Sequence, residues 1–353
     1  MAILKFNNVG IRAVAACVPK KIEYTTELSD IMPEEDIEKT INNIGIEERR
    51  IADMDVCTSD LCYQAARKLM EDNAIDPATI DVLLFVTQTV DFHHPATAPT
   101  LQHRLGLPKT VLSFDINLAC SGYVYGLSTA YAYAQMKDVN RVLLLVGETM
   151  SKIVSPYDKA SRPLFADAGT ATLIEKGDFG KATFSLNSDG KGAGIMGIPA
   201  GGFRRPSSVE TLKEYVDEEG TRRTQEQFWM DGMAVFNFGM SEEPRDIKNL
   251  IKEVGVEIQD VDLIIYHQAN KYMTDFFTKW LKYDKNKTPY SIRKFGNTSS
   301  ASIPLTIVTE LIDKYPERKN VVLSGFGAGL SWGSVFLNLD ECKISKLIEY
   351  ERE

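Results

Sequence analysis

No two of the five cysteines, Cys17, Cys57, Cys62, Cys120 and Cys342, form a CxxC pair, and five is an odd number. That combination argues against a disulfide framework or a zinc site. Histidine is scarcer still. His93, His94 and His103 stand close in sequence, but no acidic or thiol cluster accompanies them, so no metal is expected. His267 stands alone. Long apolar runs are missing as well. The strongest, Val82–Val86 and Val142–Val146, are far too short to span a bilayer. The first residues, Met1 to Asn8, lack the apolar core of a signal peptide. A cytoplasmic protein without a membrane anchor is the expectation. Positive charge is also in deficit: the net charge of −9 is not that of a nucleic-acid binder. No segment is low in complexity, and no linker rich in Gly, Pro or Ser divides the chain.

The 353 residues suffice for a large buried core. Charge is unevenly spread over them. Between Lys271 and Lys294 there are seven bases, Lys279, Lys282 and Lys285 among them, against two acids. On an acidic protein such a patch either docks an acidic partner or is an ordinary solvated helix face.

The most informative pattern is an internal echo. The segment 78–89, with Asp81 leading into Val82-Leu83-Leu84-Phe85-Val86, resembles 259–270, with Asp262 leading into Leu263-Ile264-Ile265-Tyr266. Further on, Asn140–Glu148 resembles Lys319–Gly327. Asp81 and Arg141 are 60 residues apart, and Asp262 and Asn320 are 58 apart. A run of small residues lies between the members of each pair. Two matched pairs in the same order indicate a duplicated α/β unit, with halves at 1–180 and 181–353. Continuous apolar strands alternating with helical segments imply sheets covered on both faces. The small-residue helix 121–136 is expected at the centre, and the charged stretch 203–227 as a surface flap.

Four segments carry candidate chemistry. Cys120 falls between a strand ending at Ile116 and the helix from Ser121. A helix N-terminus favours thiolate there; a buried, inert cysteine is the plainer alternative. His267 ends the strand Leu263–Tyr266, at the strand end where α/β sheets place their sites; it could equally be a structural histidine. Asn297, in Gly296-Asn297-Thr298-Ser299-Ser300, has the ordinary reading of a turn or cap residue. The glycine loop from Phe326 through Ala328 and Gly329 to Ser334 could aim main-chain N–H groups at an oxyanion, or simply turn the chain. It lacks the Lys-Ser/Thr of a P-loop.

Taken together, Asn117-Leu118-Ala119-Cys120-Ser121-Gly122, His267-Gln268-Ala269-Asn270, Gly296–Pro304 and Gly327–Ser334 resemble the β-ketoacyl-ACP synthase III family over nearly the whole chain. Gly45-Ile46-Glu47-Glu48-Arg49-Arg50 is similar as well. The resemblance implies a thiolase-like fold: a duplicated α-β-α-β-α layering with two mixed five-stranded sheets. It implies a catalytic triad of Cys120, His267 and Asn297, with Phe326 lining the site and Ala328 and Gly329 near the oxyanion. It implies acyl transfer to Cys120, then decarboxylative condensation with malonyl-ACP. Acyl-CoA and an acyl carrier protein are the implied substrates and partners. No cofactor, a homodimer, and a role in fatty-acid initiation complete the picture.

The sequence departs from the family around the donor. Lys39 and Asn43 stand where a tryptophan and an arginine commonly clamp CoA, and Lys159 stands where a further arginine does. Tyr272 replaces a basic residue, with Lys271 beside it. His94 occupies the position of the acyl-pocket phenylalanine that comes from the partner subunit. A carrier-bound or unusual acyl group fits these changes, with Lys271, Lys279 and Lys282 as the expected carrier contacts. A specialised relative, making a polyketide-like product or acylating O or N, would use the same triad. A non-catalytic partner subunit is the reading of a different class.

Overall fold

In the computed structural model, residues 2–218, 220–312 and 314–352 are described. Eight strands form the main sheet: β1 (Ala2–Val18), β2 (Val82–Val86), β3 (Leu112–Ile116), β4 (Arg141–Thr149), β5 (Asp167–Ser188), β6 (Leu263–Tyr266), β7 (Val321–Gly327) and β8 (Ser331–Leu337). Six helices cover it: α1 (Thr58–Asp72), α2 (Ala98–Arg104), α3 (Gly122–Ala134), α4 (Gly232–Val254), α5 (Lys271–Trp280) and α6 (Ser302–Glu310).

The sheet has two five-stranded arms that share their two longest strands. One arm runs β3-β2-β4-β5-β1, and the other β6-β7-β8-β5-β1. The first part of β5 pairs with β4, Asp167 opposite Thr149 and Glu175 opposite Arg141. Its last part pairs with β8, Thr183 opposite Phe336 and Ser188 opposite Ser331. Strand β1 follows β5 along both parts, with a register break between Asn7 and Val9. The five-stranded sheets expected from the resemblance are therefore arms of one continuous hydrogen-bonded sheet. Two short strands, Lys343–Ile344 and Ile348–Glu349, complete it on β1.

The internal echo has a physical basis. Asp81 accepts the main-chain N–H groups of Asn140 (2.7 Å) and Arg141 (3.0 Å), and its own N–H donates to the Arg141 carbonyl (3.1 Å). Asp262 does the same in the other arm. It accepts from Lys319 (3.0 Å) and Asn320 (2.8 Å), and its N–H donates to the Asn320 carbonyl (2.8 Å). Each aspartate clamps the start of the neighbouring parallel strand. A carboxylate held by main-chain donors makes charge-assisted bonds, stronger than neutral ones. The clamp sets the parallel register of β2 on β4 and of β6 on β7.

Helices α3 and α6 lie between the arms. Their buried faces (Tyr123, Val124, Leu127 and Tyr131 from α3; Ile303, Leu305 and Ile307 from α6) share one core with β1, β2, β4, β5, β6 and β7. A methyl on Gly126 would come within 2.9 Å of Val86 and 3.0 Å of Leu144, so glycine lets α3 lie close against the sheet. Phe6, Tyr131 and Phe184 pack mutually at 5.3–5.7 Å between centroids. Outside the arms, α1 and α2 cover the first and α4 and α5 the second. The result is the five-layered architecture anticipated for the duplicated unit.

The flap 203–227 is largely exposed, yet it is pinned. Arg223, buried, ion-pairs with Asp158 (3.3 Å) and Asp217 (2.8 Å). Arg222 lies over the Tyr157 ring, 3.4 Å from its centroid. Among the described residues, no helix is long and apolar enough to cross a membrane.

Candidate active site

Cys120 stands in the tight turn between β3 and α3, closed by the Gly122 N–H on the Ala119 carbonyl (2.7 Å). The turn presses against the end of β7. A methyl on Gly327 would meet Cys120 Cβ at 2.8 Å, and one on Gly325 would meet the Cys120 carbonyl oxygen at 2.9 Å. His267 follows β6 directly, and its N–H donates to the Ser324 carbonyl of β7 (2.7 Å). Its ring Nδ1 is 2.7 Å from Ser302 Oγ at the start of α6. That hydroxyl also receives the Gln268 N–H (3.3 Å), which leaves its own hydrogen free for Nδ1. The arrangement favours the tautomer with a hydrogen on Nε2. Asn297 is held by its main chain, N–H to the Leu164 carbonyl (2.9 Å) and carbonyl to the Ala166 N–H (3.0 Å).

The three side chains meet at one residue, Ser299. Its hydroxyl is 3.4 Å from Cys120 Sγ. Its main-chain N–H donates to Asn297 Oδ1 (2.9 Å), so the carboxamide Nδ2 is the end left for a ligand. Its main chain also lies close enough to the His267 ring to oppose the fall in the imidazole pKa. Ser299 is buried and has φ of +51°, a left-handed conformation that costs an L-residue roughly 1–2 kcal/mol. The turn is held there by α6, which begins three residues later.

Electrostatics set the resting forms. Burial pushes the Cys120 thiol up to about 11; the Ser299 hydroxyl and the residue's own N–H pull it back, and Glu148 adds to the rise. The thiolate expected from the helix end alone is therefore not the resting form: desolvation outweighs the favourable donors. Burial also lowers His267 to about 3, against the pull of the Ser299 main chain, so its imidazole is neutral at pH 7. The pair rests as thiol and neutral imidazole, not as an ion pair.

Phe326 sits edge-on to His267 (5.8 Å between centroids) and against Phe238 and Phe277 (6.0 and 5.9 Å). Ala328 and Gly329 form the turn from β7 to β8. The Ala328 carbonyl accepts from Ser331 Oγ (2.9 Å), which is 2.7 Å from Ser121 Oγ, next to Cys120. The remaining expected contacts lie apart from this cluster. His94 is exposed on the loop before α2, and Lys159 is exposed. Lys271 packs over Gly45 and is 2.5 Å from Asp275, which also neutralises Lys285 (3.0 Å). Lys39 is engaged with Glu35 and Asp36. Lys279 and Lys282 are exposed. A cavity of about 390 Å³ between Lys21, Arg49, Lys152 and Arg162 contains none of the three central groups. Its arginines and Lys152 are committed to Glu23, Asp30 and main-chain carbonyls.

Three polar residues of the site escaped the sequence reading. Ser299 and Ser302 lie inside a quoted motif, where serines read as small helix-packing residues. Glu148, fully buried at the end of β4, accepts from Thr87, from the Gln88 main chain and from Thr89. Burial raises it to about 7. Its only sequence signal was a charge closing an apolar strand.

Two family models match: 3-oxoacyl-[acyl-carrier-protein] synthase III over residues 114–190, and the C-terminal part of the same enzyme over 251–339. A β-ketoacyl-[acyl-carrier-protein] synthase III of Natranaerobius thermophilus is 34% identical over 339 residues, covering 94% of this chain and 99% of that one. The chain belongs to the β-ketoacyl-ACP synthase III family. Members are acyltransferase-type condensing enzymes with the thiolase fold, and this chain is one of them. A crystal structure of a 3-oxoacyl-(acyl-carrier protein) synthase from Burkholderia xenovorans superimposes with a TM-score of 0.91 at 36% identity, covering 99% of both chains. A priming β-ketosynthase from the R1128 polyketide pathway has the same fold, with a TM-score of 0.78 at 25% identity over 96% of this chain. The three residues expected to form the triad lie in the two matched regions, Cys120 in the first and His267 and Asn297 in the second.

Proposed function

We propose that the protein joins an acyl group to a malonyl unit on an acyl carrier protein, with release of CO2, through an acyl thioester on Cys120, as the initiating step of fatty-acid synthesis. The observation that carries this reading is the meeting of thiol, imidazole and carboxamide around Ser299. Cys120 Sγ attacks the donor's thioester carbon; the C–S bond to the donor breaks, and the donor sulfur leaves with the thiol proton. The oxyanion formed on the way is offered the N–H of Cys120 and one from the turn containing Ala328 and Gly329. The malonyl thioester then places its carbonyl oxygen between His267 Nε2–H and Asn297 Nδ2–H. The C–C bond to the carboxylate breaks, CO2 departs, and the electron pair is held as an enolate. The enolate carbon attacks the acyl carbonyl, the C–S bond to Cys120 breaks, and the departing thiolate takes a proton from water to restore the resting thiol. Neutral donors fit this role because charge appears on the oxygen only as CO2 leaves. The chemistry calls for no cofactor.

A homodimer fits the open edge of the first arm. Among the described residues strand β3 pairs only with β2, and Leu112 at its start is exposed. A partner would cover that edge, and such pairing would carry the exposed loop with His94 toward the partner's site. Exposed Lys279 and Lys282 suit an acidic carrier protein. Five unpaired thiols suit the reducing cytoplasm.

Intact-protein mass spectrometry after incubation with a library of acyl-CoA and acyl-carrier thioesters tests the reading. Acyl mass on the wild type, none on Cys120→Ala, and a 3-oxoacyl product once malonyl-carrier protein is added are expected. No acyl mass from any donor would refute it and favour a non-catalytic subunit.

A further inference from the structure

We propose that Ser299 is a further catalytic residue, whose hydroxyl hydrogen-bonds the Cys120 sulfur and supports its thiolate while its main-chain N–H aims the Asn297 carboxamide. Ser299 Oγ is 3.4 Å from Sγ, within the range of a sulfur hydrogen bond. His267 Nδ1 is taken by Ser302, and its ring lies edge-on to Phe326. A hydroxyl suits a group that changes charge, because it can turn. It accepts from S–H in the resting enzyme and donates to S⁻ once the proton has left. A donor to a charged sulfur is stronger than one to a neutral sulfur, so the bond favours the form that attacks.

The backbone of the same residue acts on the second half of the reaction. The left-handed turn at Ser299 directs its N–H back to Asn297 Oδ1 at 2.9 Å, fixing which end of the carboxamide faces a substrate. One residue thereby ties the nucleophile to the enolate donors. Ser299 resides in the turn before α6 and Cys120 in the turn before α3, so the bond also crosses between the two central helices.

The hydroxyl's role rests on the proposed reaction only for what the thiolate attacks, so its test uses no acyl donor. Alkylation of Cys120 by iodoacetamide is followed by peptide mass spectrometry from pH 7 to 9.5, with half-buried Cys57 as the reference in the same sample. In this range the rate climbs with the thiolate fraction. For Ser299→Ala the climb is expected to shift about one pH unit higher, a loss of roughly tenfold at any given pH, the size of one hydrogen bond to a charged group. Ser299→Gly, which relieves the left-handed strain, should show the same shift. Cys57 should not change.

A purely structural serine predicts the opposite sign. Removing a packing group would let water reach the thiol, relieve its desolvation and move the climb to lower pH. A shift downward, or none in both variants, would overturn the proposal. Failure of the wild type to take acyl mass from thioesters is a separate result and bears on the reaction, not on Ser299.

Discussion

Replacing Glu243 by glutamine should stabilise the protein at pH 8 and far less at pH 5. Glu243 is on the inner face of α4, 0% exposed, and among the described residues neither carboxyl oxygen has a formed hydrogen bond. Ser324 is its neighbouring donor, and Asp246 its neighbouring charge. Burial raises its pKa from 4.5 to about 8. In the unfolded chain the group ionises near its ordinary value, so between these two limits the folded state alone holds the proton. Stability then falls as pH rises through the window. With those two values the cost is about 1 kcal/mol at pH 5 and about 4 kcal/mol at pH 8, a difference of roughly 3–4 kcal/mol. Glutamine does not titrate, so Glu243→Gln removes the difference whatever constant cost its own amide brings. Taking about 2.1 cal/mol/K of unfolding entropy per residue over 353 residues, the variant's Tm should gain about 5 °C more at pH 8 than at pH 5. Glu148, Asp167 and Asp246 are also raised by burial, but they remain in both proteins and largely cancel. Scanning calorimetry of both proteins at the two pH values reads the effect. A variant whose Tm change is the same at pH 5 and pH 8 would show that Glu243 is not held protonated by burial.

Asn297→Ala should slow CO2 release from malonyl-carrier protein about a hundredfold, the usual scale for losing one donor to a developing oxyanion; acyl mass should still appear on Cys120, and loss of both steps together would contradict the division of labour. Gly327→Ala would place a methyl 2.8 Å from Cys120 Cβ. It should lower stability by about 1–3 kcal/mol and suppress acylation, because the turn cannot retreat without moving α3; urea denaturation and acyl mass read the two effects, and wild-type values in both would show that the contact is slack. Charge reversal at Lys279 and Lys282 should raise KM for carrier-bound malonate several-fold, more at low salt than at high salt, while leaving a pantetheine thioester unaffected. Equal effects on both substrates would exclude carrier docking at this face.

Much of the architecture could be read from local pattern. The strands Val82–Val86 and Leu263–Tyr266 are short apolar runs preceded by an aspartate, and both aspartates proved to be register clamps. Helix α3 was legible from its small residues, which are what close packing between two sheets requires. The two longest strands, β1 and β5, were not anticipated. Each changes neighbours along its length: β5 leaves β4 near Glu175 and takes up β8 from Thr183, with Gly180 at φ +79° between. Its sequence therefore passes through Lys176, Asp178 and Lys181 at the crossing and breaks the apolar run by which strands are recognised. In the site, single residues at element ends were legible because strand and helix ends gather chemistry. The protonation of Cys120 was not, because a helix end is a local feature while desolvation depends on every element packed around the sulfur. For the same reason the basic stretch 271–294 overstated its charge: Asp275 takes up Lys271 and Lys285, and Glu47, from far back in the chain, takes up Arg293.

The internal echo accounts for why the proposed site draws on both arms of the sheet. Each arm delivers a strand end and a central helix start to the same place. In the first half that junction holds Cys120 at α3, and in the second it holds His267 after β6 and the turn of Asn297 and Ser299 before α6. In the proposed reaction, neither arm alone brings a nucleophile and a pair of enolate donors together. Because α3 and α6 are buried against each other's sheets, the junction is largely shielded from water, which raises the thiol and neutralises the imidazole. A shielded, uncharged site is a poor place to store a thiolate and a good one for stabilising charge that exists only during reaction. In the proposed mechanism the site meets its anions when a thioester arrives, with the donors already aimed.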